Sequence, residues 1–426
     1  MLAYKVYADR YLLLDTYNDV NDGMVSAQMN LEINQPGSFE FSLVRGHPHI
    51  DDIRLMKTRI AVKMMYIEND EVLDLYWAFL GRVNSIDEDM YGNKSFTCEG
   101  AMAYLNDTYS EYSDYTFTEI PHIGEWLDRL INGYNAMIVD SQGYIYDENK
   151  LITTSPSGTD YGYSDPFYIT GDADLNNKWD WHKTLDSIYD TIINAYGGVV
   201  NFVYWPPLTD EHIESGDEFT IHCKYYNNHN DWFSYEACNT QQPEISYYTA
   251  ESSIPEFSFN TNMTDIKATP IKTGLWTCLL PIGKDGINIK TDTATEGYSY
   301  PDIFVPIGYL IERYGVIIKR VDFPTIETSN ELLHAARDYN NRFMYKDWYA
   351  LNNYTVRGIE PCLTTENDFI IRLGYPAKVQ INDTEETIAS ALSIKHNLFD
   401  IQASEYVLGP IVPKNIIDED MSSFIK

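Results

Sequence analysis

The sequence predicts an α+β protein that is mostly β. Three observations carry that expectation: apolar residues alternate with period two through the first hundred residues, the alternation returns past residue 255, and the stretches with helical spacing are few. At about 150 residues per domain, 426 residues make roughly three domains. A hydrophobic share of 44% with 14% aromatic residues is ordinary globular composition, so several packed cores are expected and global disorder is not.

In Phe39-Glu40-Phe41-Ser42-Leu43 the apolar side chains fall on every second position, and Ile60, Val62, Met64 and Tyr66 continue that period. Trp77 to Ile86 and Lys94 to Cys98 flank a turn whose Gly92-Asn93 supplies the positive φ of a hairpin. The first hundred residues therefore read as a small antiparallel barrel. From about Asn106 acidic, tyrosine-rich loops surround two helices. One starts at Pro121 and carries Ile123, Trp126, Leu127, Leu130, Ile131 and Tyr134 on one stripe. The other holds Leu185, Ile188, Ile192 and Ala195 and ends at Gly197-Gly198, before a strand from Val199 to Tyr204. Residues 140–180 and 205–250 read as long surface loops.

Strand patterns return at Trp276 to Leu280, Ile287 to Ile289, Val316 to Val321, Phe369 to Leu373, Lys378 to Ile381 and Leu392 to Val407. One helix interrupts them. Thr328-Ser329-Asn330-Glu331 forms its capping box, and Leu332, Ala336, Tyr339 and Phe343 follow at helical spacing. A second β domain with an inserted helical subdomain is the expectation.

Asp plus Glu number 64 against 30 for Lys plus Arg, a net charge of -34, and no basic run is longer than Lys319-Arg320. Nucleic-acid binders gain affinity by releasing counterions through clusters of Lys and Arg, so that function class is excluded. Charges at Lys5, Asp9 and Arg10 interrupt any leader-like apolar core, and no stretch approaches the roughly 20 apolar residues of a spanning helix, so a soluble protein made in a cytoplasm is expected. Cys98, Cys223, Cys238, Cys278 and Cys362 are odd in number and never in a CxxC pair. Buried reduced thiols are expected rather than a disulfide framework or a metal cluster.

The chemistry-bearing patterns are weak. Asp172, Asp174 and Asn176 have the spacing of a calcium loop, but its sixth position is Asn177 and its twelfth is Lys183, so the turn glycine and the bidentate carboxylate are missing. His47 and His49, and His222 beside Cys223, are the closest ligand groupings, without HExxH or paired histidines at helical spacing. Adjacent strand residues point to opposite faces, which argues against a Cys223–His222 thiol catalyst. Neither a GxSxG elbow nor a phosphate-cradling GxxxxGK[ST] loop occurs. No catalytic residue, cofactor or metal is assigned, and no enzymatic activity is expected. The 35 tyrosines are richest between Tyr104 and Tyr248, where Trp179, Trp181, Trp205 and Trp232 are interspersed. Core packing and a binding surface both fit them.

Three stretches taken in order resemble the hub protein of a phage tail tip. The first is Gly37 to Leu43 with His47-Pro48 and the strand Arg59 to Met65. The second is Phe79-Leu80-Gly81-Arg82-Val83 followed by Phe96 to Asp107. The third is Leu280-Pro281-Ile282-Gly283-Lys284-Asp285-Gly286, then Tyr314-Gly315, Val321 to Leu333, Leu373-Gly374 and Val407-Leu408-Gly409. Their order is similar to that in the prophage tail endopeptidase-like family, and it runs from Ala3 to Gly409.

The resemblance implies two small antiparallel β-barrel tube domains plus two peripheral α/β domains. It places an N-terminal tube barrel at residues 1–106, a peripheral domain at 107–254, a second tube barrel at 255–285 and 350–410, a peripheral subdomain at 286–349, and a C-terminal tail at 411–426. It further implies a homotrimeric ring at the distal end of the virion tail, with a distal tail protein, a tape-measure protein and a receptor-binding or fibre protein as partners. DNA would pass through the lumen without specific binding. Only Pro410 to Lys426 follow the last strand, so no lytic domain is expected. The rival expectations are a carbohydrate-binding surface or adhesion protein using Trp205 and Trp232, and a paired-carboxylate glycosidase.

Overall fold

The computed structural model describes residues 1–21, 23–110, 123–139, 152–154, 182–193, 199–205, 209–216, 220–226, 254–259, 261–270, 276–289, 304–306, 311–312, 315–343, 352–364, 370–382 and 385–409. Eight strands fill the first hundred residues: β1 (Leu2–Ala8), β2 (Tyr11–Asp15), β3 (Val20–Asn21), β4 (Met24–Glu32), β5 (Ser38–Leu43), β6 (Arg59–Glu68), β7 (Glu71–Glu88) and β8 (Lys94–Gly100). A middle region follows, with α1 (Ile123–Met137), β9 (Ile152–Thr154), α2 (Thr184–Ile188, continued by a π turn through Ile193), β10 (Val199–Trp205), α3 (Asp210–Ser215) and β11 (Thr220–Tyr226). The remaining elements are β12 (Glu256–Phe257), β13 (Met263–Pro270), β14 (Cys278–Gly283), β15 (Val305–Pro306), β16 (Ile318–Phe323), α4 (Ser329–Phe343), β17 (Asn352–Gly358), β18 (Pro376–Asn382), β19 (Glu385–Asn397) and β20 (Asp400–Gly409). The fold is α+β and mostly β, as expected.

The first β region is specified by aromatic alternation. Phe39 and Phe41 on β5, Phe79 on β7 and Phe96 on β8 all point inward and are buried. Phe41 sits opposite Phe96 in the β5–β8 ladder, and their rings stack at 4.8 Å between centroids. Such directly opposed aromatic pairs are the unit of sheet stabilisation. Where β7 and β8 cross the rest of the barrel, Gly81 faces Gly100. A Cβ at Gly81 would lie 2.0 Å from the Glu99 carbonyl oxygen and one at Gly100 1.8 Å from that of Pro36, so both sites demand the bare backbone. The expected hairpin turn is present: Gly92 has φ +82°, and the Asp89 carboxylate accepts from the Tyr91 and Asn93 amides.

Both β regions belong to one curled sheet. Its path runs β13-β17-β20-β19-β4-β5-β8-β7-β6-β1-β2-β3, with β18 and β12 branching from β19. The junction is β19. Its first half pairs with β18 (Ala377↔Ala389) and its second half pairs on the same edge with β4 (Ile394↔Leu31). A register shift between Ala391 and Ser393 separates the two segments, in keeping with bulges that redirect a strand. One apolar core serves both halves, from Phe39 and Phe96 to Phe257, Val356 and Leu408.

The middle region packs β10, β11 and β9 as a three-stranded sheet under α1 and α2. Leu127, Leu130, Ile131 and Tyr134 of α1 are buried, the stripe that helical spacing predicts. Pro121, Ala195 and Gly197-Gly198 lie outside the described residues. A second three-stranded sheet, β15-β14-β16, packs on α4 through Trp276, Leu279, Leu332 and Ala336. The first bond of the capping box is made, the Glu331 amide donating to Thr328 Oγ1 at 3.3 Å, while the Glu331 carboxylate accepts from that hydroxyl at 2.9 Å.

Four strand expectations are corrected. The segment from Trp276 to Leu280, expected with the second barrel, yields β14, which joins the small sheet of the helical subdomain instead. Ile287 to Ile289 is no strand: Asp285 and Gly286 have φ +55° and +83°, and the chain folds back so that the Gly283 amide donates to the Ile287 carbonyl. Ile370 to Leu373 forms no ladder, because the Ile371 amide is taken by the Glu360 carboxylate; Phe369 lies outside the described residues. Leu392 to Val407 is a hairpin rather than one strand, turning at Leu398-Phe399, where Asn397 Oδ1 accepts from the Phe399 amide at 3.0 Å.

Candidate functional site

Three polar constellations brace the fold, the second and third of them joining regions. The first lies within the first β region. Arg82 of β7 is buried, donates from Nε to Glu99 at 2.7 Å, and meets Asp107 with its two terminal nitrogens. A fork satisfied on both sides fixes the crossing of β7 and β8 over the short helical turn Ala101–Asp107.

The second ties the middle region to the sheet. Asp210 opens α3, capped by Thr209, and its carboxylate takes Lys5 of β1 at 2.6 Å and Lys63 of β6 at 2.9 Å. Burial alone would push the Asp210 carboxyl up, but the two lysines outweigh it and hold the group below the ordinary aspartate range. On the opposite side of the middle region, Asn34 accepts from the Val200 amide at 2.8 Å, and the Tyr189 hydroxyl donates to the Asn34 carbonyl. The cleft between these two segments measures about 50 Å³. Ligand pockets span ~300–1,000 Å³, so it is too small for a substrate of that class.

The third lies in the second β region and reaches the first. Glu360, fully buried, follows β17; it accepts from the Ile371 amide at 2.5 Å and from the Tyr406 hydroxyl. Tyr4 of β1 approaches the same carboxylate, and burial, then Glu360, raises the hydroxyls of Tyr4 and Tyr406. His396 of β19 places Nε2 4.0 Å from Glu360 and Nδ1 3.1 Å from Ser404 Oγ. Burial prevails over the carboxylate at that distance and pushes the imidazole down to about 4, so His396 is neutral at pH 7. The group is enclosed on all sides, with no path for a substrate's reacting atom.

The candidate ligands from the sequence do not converge. His47 is buried, while His49 stacks on Tyr11 at 4.1 Å and pairs with Asp52. His222 is half-buried and Cys223 buried on successive positions of β11, as opposite faces require. Burial pushes the thiols of Cys98 and Cys223 up, so neither is a nucleophile. Among the described residues no group of three His, Cys, Asp or Glu could hold a metal. Asp172, Asp174, Asn176, Asn177 and Trp232 lie outside the described residues, as does most of the tyrosine-rich stretch.

Among the described residues the large sheet has three open ends: β13 pairs only with β17, β3 only with β2, and on the branch β12 only with β18. Open ends are templates for a further strand unless something covers them. No described helix is long and apolar enough to cross a membrane.

The chain matches no family model and no curated protein sequence. Among solved structures it is similar to a prophage tail protein, gp18, from Listeria monocytogenes, at 14% identity over 96% of this chain and 94% of that one, with a TM-score of 0.47. It is also similar to the 43 kDa tail protein of prophage MuSo2 from Shewanella oneidensis, at 11% identity over 98% and 100%, with a TM-score of 0.49. A weaker likeness, at 8% identity over 91% and 73% with a TM-score of 0.39, is to the Escherichia coli c3393 protein, a component of the type VI secretion system.

Proposed function

We propose that the chain is a structural, non-enzymatic hub of a phage or phage-like tail, three copies of which close into a ring around a lumen that DNA crosses. The observation that carries the reading is the single curled sheet joined through β4 and β19, whose end strands β13, β3 and β12 are each paired on one side among the described residues. An open sheet of this kind is completed by neighbours, and cyclic closure removes the exposed edges. The charge supports it. Phosphate meeting an acidic wall is repelled over roughly 8 Å at physiological salt, so a chain of net charge -34 guides DNA without holding it. The middle region and the α4 subdomain then lie outside the ring, offering surfaces to distal tail, tape-measure and receptor-binding proteins.

The test is solution mass by light scattering followed by negative-stain imaging. Three times the 49.1 kDa chain mass, with a threefold ring and a channel of duplex width, is the expected result. A single-chain mass at every concentration, on the purified chain and on chain mixed with the particle's tube, overturns it.

A further inference from the structure

The exposed large apolar residues of the first β region are unevenly placed. Five cluster about one end of the sheet: Met90 (88% exposed), Tyr91 (68%), Val25 (62%), Leu55 (54%) and Met56 (43%). That end has two parts. β7 outruns β6, whose pairing stops at Arg59↔Arg82, so the β7–β8 hairpin projects past its neighbour and carries Met90-Tyr91 at its tip. The loop 44–58 lines the hairpin from tip to foot. The Arg45 amide donates to Asn93 Oδ1, Lys94 pairs with Asp51, and at the foot the Met56 amide donates to the Val83 carbonyl while Val83 donates to Thr58.

Both parts present their apolar groups from fixed backbone. The tip is stapled by Asp89, which takes the Tyr91 and Asn93 amides and the Asn93 side chain. At the foot, Met56 is held at φ +58°, a left-handed conformation that side-chain-bearing residues avoid. Pre-organised apolar anchors of this kind lose little entropy on binding.

The charges are segregated along the same surface. The hairpin near its tip carries exposed Asp87 and Glu88, with Arg45 of the loop lying over Gly92 there; the foot carries exposed Arg54 and Lys57. None of these five is ion-paired with another described residue, whereas Lys94 and His49 nearby have Asp51 and Asp52. From Val83 at the foot to Glu88 near the tip is five strand residues, roughly 15 Å. Thus an apolar tip whose acids Asp87, Glu88 and Asp89 outnumber Arg45 stands about that far from a foot carrying Arg54 and Lys57.

We propose that this end is a self-complementary docking surface whose occupant is a second copy of the chain, related by a two-fold axis. Met90-Tyr91 of each copy lies on Leu55-Met56 of the other, and Asp87-Glu88 of each faces the other's Arg54-Lys57. In such an isologous contact every interaction is made twice. A net charge of -34 opposes self-association on average, and here the two signs match. The inference does not depend on the ring: pairing doubles whatever unit is present, one chain to two or three to six.

Sedimentation velocity at micromolar concentration and low salt tests it. Wild-type chain is expected to show the doubled species, and Met90→Asp with Tyr91→Asp to weaken it by at least about tenfold. Arg54→Glu with Lys57→Glu makes tip and foot both acidic, and Asp87→Lys with Glu88→Lys makes both basic. Each variant alone stays undoubled, and mixing the two restores doubling, because each foot then meets a tip of opposite sign. All these residues are exposed, and unchanged circular dichroism verifies the fold. Absence of a doubled wild-type species, doubling unaffected by the tip variant, or failure of the two charge variants to associate on mixing would each overturn the proposal. A mass of three chains without doubling leaves the ring standing and removes the pairing; two chains without a three-chain unit does the reverse.

Discussion

The two β regions share one sheet and one core, yet they are held by different chemistry. The first is packed by aromatic side chains, with Phe39, Phe41, Phe79 and Phe96 in mutual contact and no titratable group among them. The second encloses Glu360, His396, Ser404 and Tyr406 at the heart of an otherwise apolar interior. An apolar cluster resists changes of pH but tolerates many packings. An enclosed polar cluster, in which Glu360 accepts from Ile371 and Tyr406 while His396 Nε2 makes no hydrogen bond, makes stability depend on protonation. The contrast teaches that one continuous sheet can carry an apolar aromatic cluster in one half and an enclosed titratable cluster in the other.

The largest expected effect is on the aromatic side. Phe96→Ala removes a fully buried ring stacked on Phe41 and should lower unfolding free energy by ~3–5 kcal/mol in urea titration, by the same amount at pH 7 and pH 5. A loss below ~1 kcal/mol would mean that the stack does not organise this half.

Next comes the polar side. His396 has a folded-state value near 4, below its ordinary 6.5, so the unfolded chain binds the proton first. The stability that depends on a neutral His396 is whole above pH 6.5 and is lost as pH falls toward 4, amounting to about 3 kcal/mol. Denaturation midpoints of wild type and His396→Asn, compared across that window, should diverge above it and converge toward its lower end. Parallel curves would sink the comparison between the halves.

The smallest effect concerns the attachment of the middle region. Asp210→Asn leaves Lys5 and Lys63 without their shared carboxylate. Because the site is partly exposed, the cost should stay near 1 kcal/mol. Limited proteolysis should show faster cleavage around α3 and an unchanged first β region.

Much of this was legible in the sequence. Period-two alternation placed β5, β6 and β8, helical spacing placed the buried stripe of α1, and the capping box placed the start of α4. These are local signals, written within a dozen residues. Two of the errors share a cause. Ile287 to Ile289 and Ile370 to Leu373 alternate like strands, but a strand exists only if a partner takes its amides, and here a reversed turn and the Glu360 carboxylate take them. Glu360 carried no sequence signal at all, being one acid among 64 Asp and Glu.

The sequence by itself determined which faces are apolar, where most strands and helices start, and that the chain is strongly acidic, because side-chain periodicity and charge are properties of consecutive residues. Tertiary structure alone decided that β19 bridges β18 and β4, that Glu360 is enclosed against Tyr4 and Tyr406, and that the β7–β8 tip stands clear of β6 beside a cationic loop. Those outcomes depend on which distant backbone groups pair, and period two specifies a face without naming the strand that will lie beside it.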